Sequence, residues 1–233
     1  MILQMDGVVH FGIILVVVLG LTAGKTQNCC FPDQWQGLLS SIAEAQGNLE
    51  QAVSYLSYDY TNRRWASFTN LTDSTGSQVY SYETLVLYSG PNSGMLYNFD
   101  LKTRECSVQK MSGPFTKMCI PDIAQKVGDL TLGAATESLP VTVYSITGQN
   151  GTYQSFTTVT RQLCLPVSEV NTEDFEGDVY MTVSGFADIQ LGITQPSVFD
   201  VPPECKGAKP LHSDKMFPEF SAKASFTRRF FYL

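Results

Sequence analysis

Histidine is nearly missing from this chain: its 233 residues include two, and only His212 lies past the N-terminal leader. Ser-His-Asp and Cys-His chemistry needs an imidazole beside the nucleophile, so a hydrolase of that kind has no centre to work from. No G-x-S-x-G, P-loop or G-x-G-x-x-G occurs, and no two cysteines have the C-x-x-C spacing of a metal or redox site. Carboxylate pairs of the glycosidase type are not marked by any spacing either, and the expectation is a protein without enzymatic activity and without an organic cofactor. Long apolar runs are missing beyond residues 11–21, and that block is itself shorter than the roughly 20 residues of a spanning helix. Positive charge is scarce in the body of the chain. Residues 25–205 hold nine basic and nineteen acidic side chains, a net of −10. Nucleic acid is held chiefly by Lys and Arg on its phosphates, so it is excluded as a partner.

What is present points to the secretory route. The apolar block 11–21 (FGIILVVVLGL) is followed by the small residues Thr22, Ala23 and Gly24, which reads as an export signal occupying residues 1–24. Its n-region carries Asp6 and His10 with no Lys or Arg, which leaves an uncleaved anchor as the alternative. Six cysteines, Cys29, Cys30, Cys106, Cys119, Cys164 and Cys205, fit three disulfides in an exported chain, and fifteen pairings are open to them. Two sequons, at Asn70 and Asn150, fit the same route. Asn150 stands in an Asn-Gly pair, a strong hairpin-turn signal whose tip projects into solvent, and Asn70 precedes the polar turn 73–76.

Residues 25–205 read as one β domain, long enough for a single core. Alternating segments at 53–60, 65–71, 82–88, 95–101, 141–146, 152–163, 179–183 and 186–193 are separated by Gly, Asn and Pro turns, the pattern of an antiparallel all-β fold. Gly185 is a candidate bulge. Residues 38–53 have helical composition, and residues 121–127 predict a short helix with Pro121 at its start and Gly128 at its end. In the run 186–205, Ile189, Leu191 and Ile193 share one face of a strand before Pro196, Pro202 and Pro203 end the pairing. The tail 206–233 carries six basic residues against two acidic ones, interleaved with Phe217, Phe220, Phe226, Phe230, Phe231 and Tyr232. It is expected either to contact anionic membranes or sulfated glycans, or to be an extension that is disordered or folds back on the acidic body.

The run 186–205 closely resembles the C-terminal signature of ependymin-related proteins, which are secreted glycoproteins. Cys29 with Pro32 and Trp35, Thr103 to Cys106 (TREC) and Cys164 to Val167 (CLPV) resemble further parts of the same pattern, so the likeness spans roughly residues 29–205. The resemblance implies disulfides joining Cys29 to Cys164 and Cys106 to Cys205. Cys30 and Cys119 are additions to the family's set and are expected to join each other, with the adjacent Cys29 and Cys30 able to exchange roles. It implies that residues 38–53 are paired strands rather than helix. It also implies a homodimer and a curved two-sheet half-barrel or sandwich, similar to bacterial lipoprotein carriers, with an apolar pocket.

Two functions fit that resemblance. One is a carrier of a lipid-like or other apolar ligand, with Tyr55, Phe68, Leu85, Leu87 and Ile189 as candidate pocket lining. The other is a calcium-responsive matrix or adhesion glycoprotein with a packed interior. The acidic stretch 169–178 bears Glu173, Asp174, Glu176 and Asp178 as candidate ligands for a weakly held calcium, against the plainer reading of a solvated acidic turn.

Overall fold

Period-two alternation decides the architecture. The computed structural model describes residues 29–45, 48–73, 75, 79–148, 151–175 and 178–208. The leader 1–24, Asn150, Glu176 and the tail from residue 209 onward lie outside the described residues. Eleven strands form: β1 (Gln34–Ala45), β2 (Asn48–Asp59), β3 (Arg64–Asp73), β4 (Val79–Gly90), β5 (Ser93–Asp100), β6 (Cys106–Ser112), β7 (Gln125–Ala134), β8 (Glu137–Thr147), β9 (Tyr153–Thr160), β10 (Pro166–Phe175) and β11 (Asp178–Leu191). They make one open antiparallel sheet, ordered β6-β5-β4-β3-β2-β1-β11-β10-β9-β8-β7. Two meanders, β1–β6 and β7–β11, are thus joined where β1 pairs with β11.

Residues 38–53 are strand, because a hairpin of β1 and β2 places Leu39 and Leu56 in the core and tertiary packing overrides helix propensity. The helix expected at 121–127 does not form. Ala124 N donates to Pro121 O in a turn, and β7 begins at Gln125 to pair with β8. The acidic stretch expected as a turn is mostly strand β10, hydrogen-bonded on both sides. Gly185 pairs regularly with Ser40 and Ser168. The irregularity lies instead opposite Gly37, where Asp188 takes φ 51°. A Cβ on Gly37 would stand 3.1 Å from Ala187 O and from the Ile189 side chain, so the bulge fits only over a glycine.

The inner face of the sheet carries the main core. Trp35, Leu39, Leu56, Tyr58, Trp65, Val86 and Tyr88 are buried on it, together with Phe31 and Phe115 from the segments that cross it. Phe115 stacks on Tyr58 at 5.8 Å between ring centroids and meets Tyr88 edge-on at 5.3 Å. Trp35 lies 6.2 Å from Tyr58 and 6.4 Å from Phe31. Gly94, opposite Tyr88 in the register, leaves room for that ring, since a Cβ there would approach it to 2.8 Å. Loop 113–121 is fastened over this face. Tyr58 Oη accepts from Met118 N at 3.1 Å, Phe31 N donates to Met118 O at 2.8 Å and Ile120 N donates to Cys29 O at 2.7 Å.

The outer face is covered over β3–β5 by the segment after β11. Phe199 packs on Ala66 and Leu85, with Ile193, Val201, Leu87 and Tyr97 around it. Thr194 N donates to Gln36 Oε1 at 3.0 Å and steers the segment across β1. Ile189 and Leu191 keep the inner register, Ile189 against Gly37 and Leu191 opposite Trp35 though exposed at the strand end, whereas Ile193 joins the outer cluster. The positive φ of Gly192 breaks the alternation between Leu191 and Ile193.

Asp59 ties the end of β2 to three neighbours. Its carboxylate is fully buried and accepts from Gln34 Nε2 at 2.9 Å, Asn62 N at 3.0 Å, Asn62 Nδ2 at 2.8 Å and Arg64 Nε at 2.8 Å. The Arg64 guanidinium also lies over the Phe199 ring at 4.1 Å, so the same network on the outer face holds down the segment after β11. Burial pushes the Asp59 carboxyl up, but the donors of Asn62, Gln34 and Arg64 outweigh it and hold the group below the usual carboxylate value. A lowered folded-state pKa stabilises the fold above the unfolded value of about 3.9 and ceases to do so as pH falls through the folded value. Asp59→Asn is therefore expected to lower stability by about 2 kcal/mol at neutral pH, and thermal melts should show the gap to the parent narrowing in acid. A gap unchanged from neutral to strongly acid pH would contradict this account.

Candidate ligand pocket

A cavity of about 300 Å³ opens on the inner face between loop 113–121 and strands β8–β11. Its roof is Phe31 with Thr116, Lys117, Met118, Cys119, Ile120 and Pro121, and its floor is Ile146, Tyr153, Thr157, Pro166, Glu169 and Phe186. The register explains why space is left there. Ile146, Ser155, Asn171 and Thr182 form one cross-strand row on the inner face, and Thr157, Glu169, Ser184 and Ser41 form the adjacent one. Apart from Ile146 and Glu169 these are short side chains, and Ser155, Asn171 and Ser184 are buried. A sheet bearing Ser and Thr cannot reach a roof held at the height set by Trp35, Tyr58 and Phe115, so a void remains.

Most of the lining is apolar, but its polar groups are fixed. Ser155 Oγ donates to Glu169 Oε1 at 3.3 Å and lies 3.3 Å from Thr157 Oγ1. Tyr153 Oη donates to Asn171 Oδ1 at 3.2 Å. At the roof, Lys117 Nζ pairs with Asp33 at 2.6 Å and lies 5.8 Å from the Tyr60 ring centroid. Burial pushes the Tyr58 phenol up, so it stays neutral and accepts the Met118 N–H.

Three disulfides hold the arrangement: Cys29–Cys164, Cys30–Cys119 and Cys106–Cys205. The second clamps the roof to the segment leading into β1. The first ties that same segment to the turn before β10. The third fastens the end of the outer segment to β6.

The Ependymin family model matches residues 76–205. The chain belongs to the ependymin family. It is 26% identical over 191 residues to mammalian ependymin-related protein 1 of Rattus norvegicus, covering 80% of each chain. It is 28% identical over 194 residues to ependymin-related protein 1 of Haliotis asinina, covering 80% of this chain and 94% of that one. Against ependymin of Esox lucius the identity is 25% over 186 residues, with 78% and 79% covered. Among solved structures it is similar to a LolA superfamily protein from Nitrosomonas europaea, at TM-score 0.31 and 10% identity over 73% of this chain and 92% of that one. A DUF1329 family protein from Desulfovibrio piger gives TM-score 0.33 and 9% identity, with 72% and 89% covered.

In this ependymin-family fold the residues singled out as pocket lining are not brought together. Tyr55 is 64% exposed on the outer face. Leu85 and Leu87 belong to the packed outer cluster under Phe199, and Phe68, on the outer-facing register of β3, is half-buried. Ile189 is on the inner side but packs in the aromatic core rather than along the cavity. The lining was missed because its floor positions alternate in the opposite sense: on β9–β11 hydroxyls and amides point inward while Phe156, Val170 and Val183 point outward and are exposed.

The acidic candidates separate in the same way. Glu173 and Asp174 are neighbours on β10 and face opposite sides of the sheet, Glu173 opposite Tyr180 and Asp174 opposite Val179 of β11. Asp178 begins β11. Among the described residues, no group of three or more His, Cys, Asp or Glu is placed to hold a metal ion. Asn70 is exposed on β3, ahead of the polar turn, with Oδ1 accepting from Ser81 Oγ at 2.6 Å. Among the described residues no helix is long and apolar enough to cross a membrane.

The roof clamp gives a direct test. Opening a disulfide that closes a long loop costs about 4 kcal/mol in the chain-entropy account. The double variant Cys30→Ser with Cys119→Ser should melt well below the parent and expose the inner aromatic residues to an apolar dye. An unchanged melt and dye response would show that the roof does not depend on this bond.

Proposed function

We propose that this ependymin-family protein is secreted and non-enzymatic, and that it carries a lipid-like or other apolar ligand in the cavity between loop 113–121 and β8–β11. The observation that supports this reading is the cavity itself: about 300 Å³, roofed by a disulfide-clamped loop and lined largely by apolar side chains. That volume is at the lower end of small-molecule sites, which run from about 300 to 1,000 Å³. Secretion is supported by the three disulfides, which persist in oxidising compartments, and by the leader-like residues 1–24.

The same reading includes a homodimer formed through the outer face. Ile42, Val183, Val170 and Phe156 lie side by side across β1, β11, β10 and β9 and are 44%, 42%, 36% and 40% exposed. Their flanking rows are Val53, Ser40, Gly185, Ser168 and Thr158 on one side and Leu49, Glu44, Met181, Thr172 and Gln154 on the other. A chain of net charge −7 repels a copy of itself over most of its surface. This nearly uncharged apolar strip is where a second copy can approach, and a two-fold interface requires such a self-complementary patch. Asn70 lies on the same face at β3, so a glycan there would border the strip without covering its centre.

Native mass spectrometry of the secreted, deglycosylated protein, paired with lipid extraction, should show excess mass matching an extracted apolar molecule. A bare protein that also refuses added lipids would remove the carrier reading. In the same instrument the parent should appear as a dimer and the Ile42→Glu, Val183→Glu double variant as a monomer with an unchanged ligand load. A monomeric parent at micromolar concentration would remove the dimer.

A further inference from the structure

The cavity is apolar in outline, yet the charged group on its floor is an acid. Glu169 stands in the middle of the inner row Thr157–Glu169–Ser184, flanked by β9 and β11, and it is one of the residues lining the cavity. Its approach is set by Ser155, fully buried in the next row, which donates to Oε1. In its ionised form a carboxylate offers acceptors and no donor. Among the described residues that line the cavity, the one cation is turned elsewhere, because Lys117 pairs with Asp33 and sits by the Tyr60 ring. The Tyr153 hydroxyl proton is given to Asn171. The rings of Phe31, Tyr153 and Phe186 that surround the space add a further preference for positive over negative charge.

We infer that Glu169 selects the head group: the occupant is an amphiphile whose head donates hydrogen bonds, an ammonium or hydroxyl on an apolar body, and free fatty acids are disfavoured. This rests on the carrier reading of the same cavity and narrows it. A fatty carboxylate would place a second anion beside Glu169 in a partly desolvated site, where like charges repel strongly. An amine or alcohol would meet an acceptor already held in place by Ser155. Specificity would come from the repelled head as much as from the one accepted.

Three ten-carbon probes that differ only in the head separate the possibilities: decylamine, decanol and decanoate, each titrated calorimetrically below its micellar concentration at mildly alkaline pH. The parent should bind decylamine and decanol, with decanoate at least about tenfold weaker than decylamine, the scale of about 1.4 kcal/mol. Glu169→Gln keeps an acceptor for Ser155 and removes the charge. It should raise decanoate affinity and lower that of decylamine, while Glu169→Asp should keep the parent's order. Thermal melts of the variants check that the fold is intact. Decanoate binding as tightly as decylamine in the parent, or an order unmoved by Glu169→Gln in a folded variant, would overturn the head-group inference and leave the carrier intact. If none of the probes binds to the parent, the carrier reading fails and this inference with it.

Discussion

The packing of Phe115 and Phe31 against Tyr58 and Trp35 is the contact on which the remaining arrangement depends. An open sheet with one uncovered inner face would leave these aromatic residues in water. Among the described residues, loop 113–121 and the segment before β1 cover that side, and neither has a helix or strand of its own to hold it there. Each ring in the stack is large enough for its burial to contribute several kcal/mol, before any ring-on-ring preference is added. The Met118 N–H on Tyr58 Oη and the two backbone bonds around Cys29 and Phe31 then fix the register of the roof. The disulfide Cys30–Cys119 limits how far it can open.

Once the roof is at that height, the composition of the floor decides what lies beneath it. Under β1–β4 the floor is aromatic and aliphatic, and the space is filled. Under β8–β11 the inner rows are rich in Ser, Thr and Asn between Ile146, Glu169 and Phe186, and the space is not. The cavity is therefore a consequence of a packed wing and an underfilled wing sharing one cover. The outer face shows the complementary pattern. Over β3–β5 it is covered by the segment carrying Phe199, whereas over β1 and β9–β11 it bears an exposed apolar strip. Antiparallel sheets commonly keep one face dry and the other wet, and here the apolar residues change side partway across the sheet while the inner face stays the buried one.

That change of side also explains which features could be read from the residues. Strand content, the β8–β9 hairpin and the family came from alternation, turn chemistry and the signature around Trp35, Cys106, Cys164 and Cys205. The pocket lining did not, because an apolar residue in an alternating strand is ordinarily taken as inward-facing. That rule places Tyr55, Leu85 and Leu87 in a pocket, and they lie on the outer face. It places Ser155, Thr157 and Glu169 in solvent, and they form or support the floor. Leu85 and Leu87 are core all the same, packed by a segment more than a hundred residues away in the chain, which local periodicity does not report. The bulge at Asp188 rather than Gly185 is a similar case: its position follows from the close approach of Gly37 on a distant strand.

The sequence by itself determined that this is an antiparallel β protein of the ependymin family, with an acidic body and a cysteine set suited to an oxidising compartment. Those properties are carried by composition, by the period of two along each strand and by short signatures, all of which are local. Only the tertiary structure decided which face of each strand is buried, which side chains surround the cavity and that a carboxylate stands on its floor. The reason is physical: alternation says that two faces differ, but which one is covered depends on where a loop from one meander and a segment from the other come to rest. Those positions are set by contacts between residues remote in sequence.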